Sequence, residues 1–177
     1  MCVIETSPVI ETRRLTLRAP ERRDVRKMAE LANDFDVVRM TCRMPWPYRR
    51  KDAEAFVERC EHRDWRSDAT FAIDLEDEGF VGCLGFFRNA DGNLETGYWI
   101  GRPWWGRGLA TEALKGALVW ASRDWGKRCV TAGHFIDNPA SGTVLTKAGF
   151  LYTGVVKDLP SVARGGAAPT RMMVWLA

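Results

Sequence analysis

The sequence predicts an α+β (mixed α/β) domain, a sheet of about seven strands flanked by about four helices. Three observations carry this. Residues 70–100 form a strand meander, punctuated by turn chemistry at Glu76–Gly79 and Asn89–Asn93. Helical spacing of apolar residues occurs twice before the meander and twice after it. At the end of the last meander strand, Gly106 and Gly108 open a long amphipathic helix.

The elements follow in order. Leu15–Thr16–Leu17–Arg18 alternates and reads as the first strand, closed by Pro20. Val25, Met28, Ala29, Leu31 and Ala32 mark a helix over Asp24–Asn33. Pro45 and Pro47 forbid regular structure in the loop Met44–Tyr48. Ala55, Phe56, Val57 and Cys60 are the candidate apolar face of a second helix, from Lys51 to about Trp65. Strands follow at Thr70–Leu75, Phe80–Phe87 and Leu94–Ile100. The long helix runs from Leu109 to about Asp124, with Leu109, Ala113, Leu114, Ala117, Leu118 and Ala121 in one stripe and Gly126 past its end. A strand at Cys129–Ile136 leads to Asp137–Asn138–Pro139, a helix start with proline in the first turn, and that helix stops at Gly149. Phe150–Val156 and Arg171–Leu176 read as closing strands, with residues 157–170 as a loop rich in Gly, Ala and Pro.

The chain has 177 residues and reads as one domain over residues 1–177. A fold of this size buries roughly 70% of its unfolded surface and needs no metal or disulfide staple. Lys and Arg number 26 against 23 Asp and Glu, for a net charge of +3. That near balance argues against nucleic-acid and membrane-surface binding. The five cysteines, Cys2, Cys42, Cys60, Cys83 and Cys129, are widely spaced, and the two histidines are His62 and His134. No zinc spacing results, so no metal is expected and the thiols suit a reducing cytoplasm. Residues 1–14 lack a continuous apolar run, so no signal peptide is expected. No apolar run reaches membrane-spanning length.

The glycine turn is the chemical signal. A helix start carries about four N–H groups without internal partners and the positive end of the helix dipole. With no side chains at Gly106 and Gly108, a phosphate can approach those groups closely. The same spacing also fits a tight turn that binds nothing. A third glycine of a dinucleotide fingerprint would fall at Thr111, and no Gly–Lys–Ser/Thr follows, so neither nucleotide motif is present.

Three segments resemble the GNAT superfamily of acyl-CoA-dependent N-acetyltransferases. Gly97–Tyr98–Trp99–Ile100 followed by Trp105–Gly106–Arg107–Gly108–Leu109–Ala110–Thr111–Glu112–Ala113 is similar to its pyrophosphate-binding motif. Asp137–Asn138–Pro139–Ala140–Ser141 with Lys147–Ala148–Gly149–Phe150 is similar to its second helix motif, and Leu15–Arg18 to its opening strand. The branch most resembled is the ribosomal-protein N-terminal acetyltransferases (RimJ/RimL-like). The resemblance implies a curved mixed sheet splayed between the fourth and fifth strands, with acetyl-CoA (CoA) in the cleft. It implies that N–H groups from Trp105, Gly106, Arg107, Gly108, Leu109 and Ala110 hold the pyrophosphate. The edge through Tyr98, Trp99 and Ile100 would pair with the pantetheine amides like an added strand. It also implies contact of Asn138 with the pantetheine arm, and donation from Ser141 to the sulfur. Two positions depart from the pattern: Pro103 stands where Gln or Arg is frequent, and Leu145 where some relatives carry a tyrosine acid.

Acetyl transfer to an amine needs a neutral amine, a polarised carbonyl and a protonated leaving thiolate. Glu95 is the leading candidate base, with Ser141 on the thiolate side; His134 and Asp158 are alternative bases. Asn138 also reads as an ordinary N-cap, and Glu112 as a complement to the helix dipole. Arg164–Gly165–Gly166 reads as a solvated turn, with a flexible substrate-side loop as the alternative. Trp46, Trp65, Trp104 and Trp105 are candidate cleft aromatics, with ordinary packing as the alternative. The expected activity is direct acetyl transfer from acetyl-CoA to a primary amine, either a protein N-terminus or a small molecule, without a nucleophilic cysteine. The alternative is a non-catalytic acyl-CoA-binding or sensing domain of the same fold; an ATP-binding turn is the weaker third. A homodimer is compatible with this type of fold, but no residue establishes it.

Overall fold

The computed structural model describes residues 7–177, so Cys2 and the first part of the expected lead-in lie outside the described residues. The strands are β1 (Ile10–Glu11), β2 (Leu15–Arg18), β3 (Ala69–Leu75), β4 (Gly79–Arg88), β5 (Leu94–Ile100), β6 (Cys129–Phe135), β7 (Leu151–Ser161) and β8 (Gly166–Leu176). The helices are α1 (Val25–Ala32), α2 (Phe35–Val38), α3 (Arg50–Glu61), α4 (Leu109–Arg123) and α5 (Pro139–Lys147). One sheet of eight strands runs in the order β1-β2-β3-β4-β5-β6-β8-β7. All its neighbours pair antiparallel except β5 and β6.

The sheet is the middle of three layers. On one face Phe71, Ile73, Leu84 and Phe86 pack against the Leu109, Ala113, Leu114, Ala117, Leu118 and Ala121 stripe of α4 and against Leu145 of α5. On the other, Ala72, Phe80 and Cys83 pack against Val25, Met28 and Ala32 of α1 and Ala53 and Val57 of α3. Both faces are covered, which is why β3 and β4 read as nearly continuous apolar runs. Among the described residues, no helix is long and apolar enough to cross a membrane. The described cysteines are free thiols.

Four sequence expectations change. The eighth strand is the two-residue β1, too short to show a period, and the fifth helix is the four-residue α2, equally short. Residues 157–170 are not a loop. They form the turn end of the β7–β8 hairpin, with the turn confined to residues 162–165. Pro160 and Pro169 obscured this, yet both fit: Pro160 is in the edge strand β7, and Pro169 stands in β8 just beyond the last β6 pair, Phe135 with Thr170. Asp158, expected in that loop, therefore sits within β7 opposite Pro169 and is exposed.

A polar cluster ties β2, β3 and the start of α1 together. Arg18 donates to both oxygens of the buried Asp24 (2.7 and 2.8 Å) and to both of Asp74 (2.7 and 3.0 Å). Hydrogen bonds from Arg18 to Asp24, with those to Asp74, hold the guanidinium more firmly protonated than usual although burial opposes it.

Gly82 of β4 lies opposite Ile100 of β5. A Cβ there would lie 2.1 Å from the Trp99 carbonyl oxygen, a backbone atom with no freedom to retreat. At Gly85 the nearest atoms would be 3.5 Å away. In chemical denaturation, Gly82→Ala is expected to cost at least about 2–3 kcal/mol by overpacking, and Gly85→Ala less than about 1 kcal/mol. Equal stabilities would show that the approach of β5 to β4 is not fixed by Gly82.

Candidate active site

Strands β5 and β6 run parallel and share one register pair, Glu95 with Thr131. The Thr131 hydroxyl secures that point by donating to the Leu94 carbonyl (3.1 Å). Beyond it the two strands part.

The N-terminus of α4 lies at one side of the parting. The first bond of the helix ladder is Glu112 N–H to Gly108 C=O (3.1 Å), so the N–H groups of Gly106 through Ala110 lie ahead of it. Gly106 and Gly108 both take positive φ, +74° and +76°, a conformation that glycine adopts at no steric cost. A Cβ at Gly106 would meet nothing within 4 Å, and one at Gly108 only Arg14 Nη2 at 3.8 Å, so the turn has open space at both glycines.

The turn is held from behind. Glu112 accepts from the Thr12 hydroxyl (2.8 Å), the Arg14 N–H (2.8 Å) and Arg14 Nε (2.7 Å). Burial would raise its pKa, but these bonds hold the carboxyl below its ordinary value. Sequence reading gave Glu112 to the helix dipole; in the fold it is the peg that fixes α4 on the β1–β2 connection. The Arg107 carbonyl accepts from Arg14 Nη1 (3.2 Å), and the Arg107 guanidinium pairs with Glu78 (3.2 Å). The indole of the exposed Trp105 donates to the Ile100 carbonyl (2.7 Å), which occupies one acceptor of the expected pantetheine edge. Trp99 packs against Phe80 on the α1/α3 side.

The opposite wall is α5. Asn138 caps it, its Oδ1 accepting from the Ser141 N–H (3.2 Å), and Pro139 occupies the first turn. The Asn138 Nδ2 amide takes no protein partner among the described residues. The Ser141 hydroxyl lies 2.9 Å from the Tyr98 hydroxyl of β5, which is also 3.2 Å from the Ser141 carbonyl oxygen. This contact joins the two walls. Burial pushes the Tyr98 phenol well above its ordinary pKa, although its bond with Ser141 works the other way. Sequence reading gave Tyr98 only a place on the strand edge expected to pair with pantetheine, and no role for its hydroxyl; alternation along β5 was the available signal.

Alternation also separates the candidates. Tyr98 packs with Leu94 and Ile100 on the α4/α5 face, whereas Glu95 shares its parity with Trp99 on the α1/α3 face. Glu95 is half-buried and accepts from Asn89 Nδ2 (2.9 Å). Its charge, second to burial, raises the pKa of the neighbouring Cys42 thiol. Glu95 and Ser141 thus flank the parting from opposite faces of the sheet.

The remaining candidates lie elsewhere. His134 is buried beneath α5, with Nδ1 2.9 Å from the Phe135 carbonyl oxygen and Nε2 3.0 Å from the Tyr152 hydroxyl, so both ring nitrogens are engaged. Trp46 is exposed against Phe35, Trp65 packs on Phe71, and the buried Trp104 donates to Glu78, so the tryptophans do not line one cleft.

Arg164 is not a solvated turn residue. It donates to both oxygens of Asp137 (2.9 and 3.0 Å) and to the Arg39 carbonyl (2.6 Å), and its guanidinium lies over the Phe135 ring. With Val162 N–H to Cys42 C=O (3.1 Å), it clasps the β7–β8 turn to the segment after α2 and the start of α5.

A mixed sheet parted at its parallel junction, with open helix-start amides on one side and a capped second helix on the other, defines the acyl-CoA N-acyltransferase class of fold. Comparison with known proteins gives the family. Residues 14–151 match the acetyltransferase (GNAT) domain, and the chain belongs to this family. It is 30% identical over 89 residues to the [ribosomal protein uS5]-alanine N-acetyltransferase of Escherichia coli (strain K12), covering 49% of this chain and 46% of the relative. The match thus spans about half the length of that curated relative. Among solved structures, Mycobacterium smegmatis RimJ in complex with CoA-disulfide aligns with a TM-score of 0.80 at 21% identity, over 98% of this chain and 88% of the other. The spermidine N-acetyltransferase of Vibrio cholerae, in complex with CoA and spermine, aligns with a TM-score of 0.75 at 20% identity, over 93% and 96%.

The clasp yields a pH prediction. Hydrogen bonds from Arg164 hold the Asp137 carboxyl below its ordinary value. A carboxylate with a lowered folded pKa stabilises above its unfolded value, and the gain is lost as pH falls through the folded one. Hydrogen exchange at the Val162 amide, corrected for its intrinsic rate, is expected to accelerate in Arg164→Ala and Asp137→Asn at pH 7. In the unaltered chain the same acceleration is expected only below about pH 4. Unchanged protection in both variants would show that the clasp holds nothing.

Proposed function

We propose that the protein is an acetyl-CoA-dependent N-acetyltransferase of the cytoplasm, transferring acetyl directly to a primary amine. The observation that carries this is the single-pair junction of β5 and β6, whose parting is flanked by the open amides of Gly106–Ala110 and by Glu95 and Ser141. The donor set fits the cofactor: consecutive N–H groups at a positive dipole end suit a pyrophosphate, and the open space at Gly106 admits it.

Acetyl-CoA supplies the activated thioester. The amides of Gly106 through Ala110 would hold its phosphates, and Asn138 Nδ2 would donate to an amide carbonyl of the pantetheine arm. Glu95, on the α1/α3 face, accepts the amine proton, directly or through one water, as the nitrogen–carbon bond forms. Ser141, on the α4/α5 face, donates a hydrogen bond to the sulfur as the carbon–sulfur bond breaks. Catalysis then draws base and donor from opposite sides of one sheet. Since residues 14–151 match an acetyltransferase family and one relative is a ribosomal-protein alanine N-acetyltransferase, a protein N-terminus is the first acceptor to test. Small primary amines are the second.

Acetyl-CoA at about 100 times its dissociation constant should add roughly 2.7 kcal/mol of stability, and ATP none. Gly106→Val should abolish that shift by putting a β-branched side chain at positive φ across the amides. Glu95→Gln should keep the shift and lower kcat by about 10²-fold or more, a typical general-base contribution. Binding without turnover on any amine would turn the reading to an acyl-CoA-sensing domain.

A further inference from the structure

Ser141 does not stand alone at the wall of the parting. Its hydroxyl and the Tyr98 hydroxyl are 2.9 Å apart, and the Ser141 carbonyl oxygen lies 3.2 Å from the same phenol. Each hydroxyl has one hydrogen to give. Two arrangements satisfy the geometry. In the closed one, Ser141 donates to Tyr98 and Tyr98 donates to the Ser141 carbonyl, so neither hydrogen reaches the cleft. In the open one, Tyr98 donates to Ser141 Oγ, and the Ser141 hydrogen is free to point at another acceptor. Negative charge developing in the parting favours the open arrangement, because each hydroxyl then donates toward the charge and polarises the next.

From this geometry we infer that Tyr98 is a positioning residue that acts through Ser141: by donating to Ser141 Oγ, it turns the serine hydrogen toward the sulfur that leaves. The inference rests on the acetyl-transfer reading of the site. The step is hydrogen-bond donation rather than proton relay. An ordinary thiol ionises near pH 8.5 and an ordinary phenol near 10, and burial pushes Tyr98 higher still, so the proton stays on tyrosine while the thiolate leaves. Farther along α5, Leu145 is buried in the core and puts no hydroxyl at this wall. The Tyr98 hydroxyl reaches the same wall from β5 instead.

The test compares Tyr98→Phe, Ser141→Ala and the double variant, with melting temperatures confirming that each is folded. Two readouts are used. The first is ionisation of the CoA thiol bound to the protein, followed by ultraviolet absorbance of the thiolate across pH, which needs no turnover. Its midpoint is expected to rise by about one unit in Tyr98→Phe and no further in the double variant than in Ser141→Ala. The second is steady-state acetylation. Tyr98→Phe should lower kcat about tenfold, the size of one hydrogen bond, with KM for acetyl-CoA within about twofold. A thiol midpoint unmoved by Tyr98→Phe, or losses in the double variant that simply multiply, would overturn the inference. If the chain acetylates no amine, the proposed function fails, and the thiol titration still decides whether Tyr98 directs Ser141.

Discussion

The structure depends on one weak seam in an otherwise continuous sheet. Hydrogen bonding knits β2 through β5 and, separately, β6, β8 and β7 by antiparallel ladders several residues long. The two halves meet at the single pair Glu95–Thr131. A parallel pair needs a crossover connection, here α4, so the strand edges approach with a helix start beside them. Parting the strands leaves backbone polar groups that a fully paired sheet would have satisfied, and such groups suit a ligand with amides and phosphates of its own.

A seam of this kind would drift unless its sides were fixed, and charged groups fix them. Glu112 anchors the glycine turn to Thr12 and Arg14, so the first turn of α4 cannot slide along β2. Arg102, just before the turn, holds Asp34 and Asp36 at the start of α2. Arg164 ties the hairpin to Asp137 at the start of α5. Each uses the planar fork of an arginine, which fixes direction as well as distance. Exposed ion pairs add little stability, so the value of these three lies in placement. The buried cluster of Arg18 and Asp24 differs, since Asp24 without Arg18 would be an uncompensated charge in the core.

Much of this was legible in the sequence because it is local. The bounds of β5, the start of α4 and the Asn138 cap follow from alternation, helical spacing and capping chemistry within a few residues. Local rules failed where the signals were short or contrary. β1 and α2 are too brief to show a period, and the Gly, Ala and Pro content of residues 157–170 reads as loop although β8 pairs there with β7. Proline at an edge strand breaks no ladder, so composition and pairing parted company.

By itself the sequence determined the α+β class, the glycine turn and its family resemblance, since these rest on residues adjacent in the chain. Only the tertiary structure decided the partnerships: Tyr98 with Ser141, Glu112 with Arg14, Arg164 with Asp137, and Glu95 on the face opposite Ser141. These pairs lie between 27 and 98 residues apart along the chain. No periodicity spans such separations; they are set by which strand edges the core brings together, and that is fixed only when the whole apolar pattern packs at once.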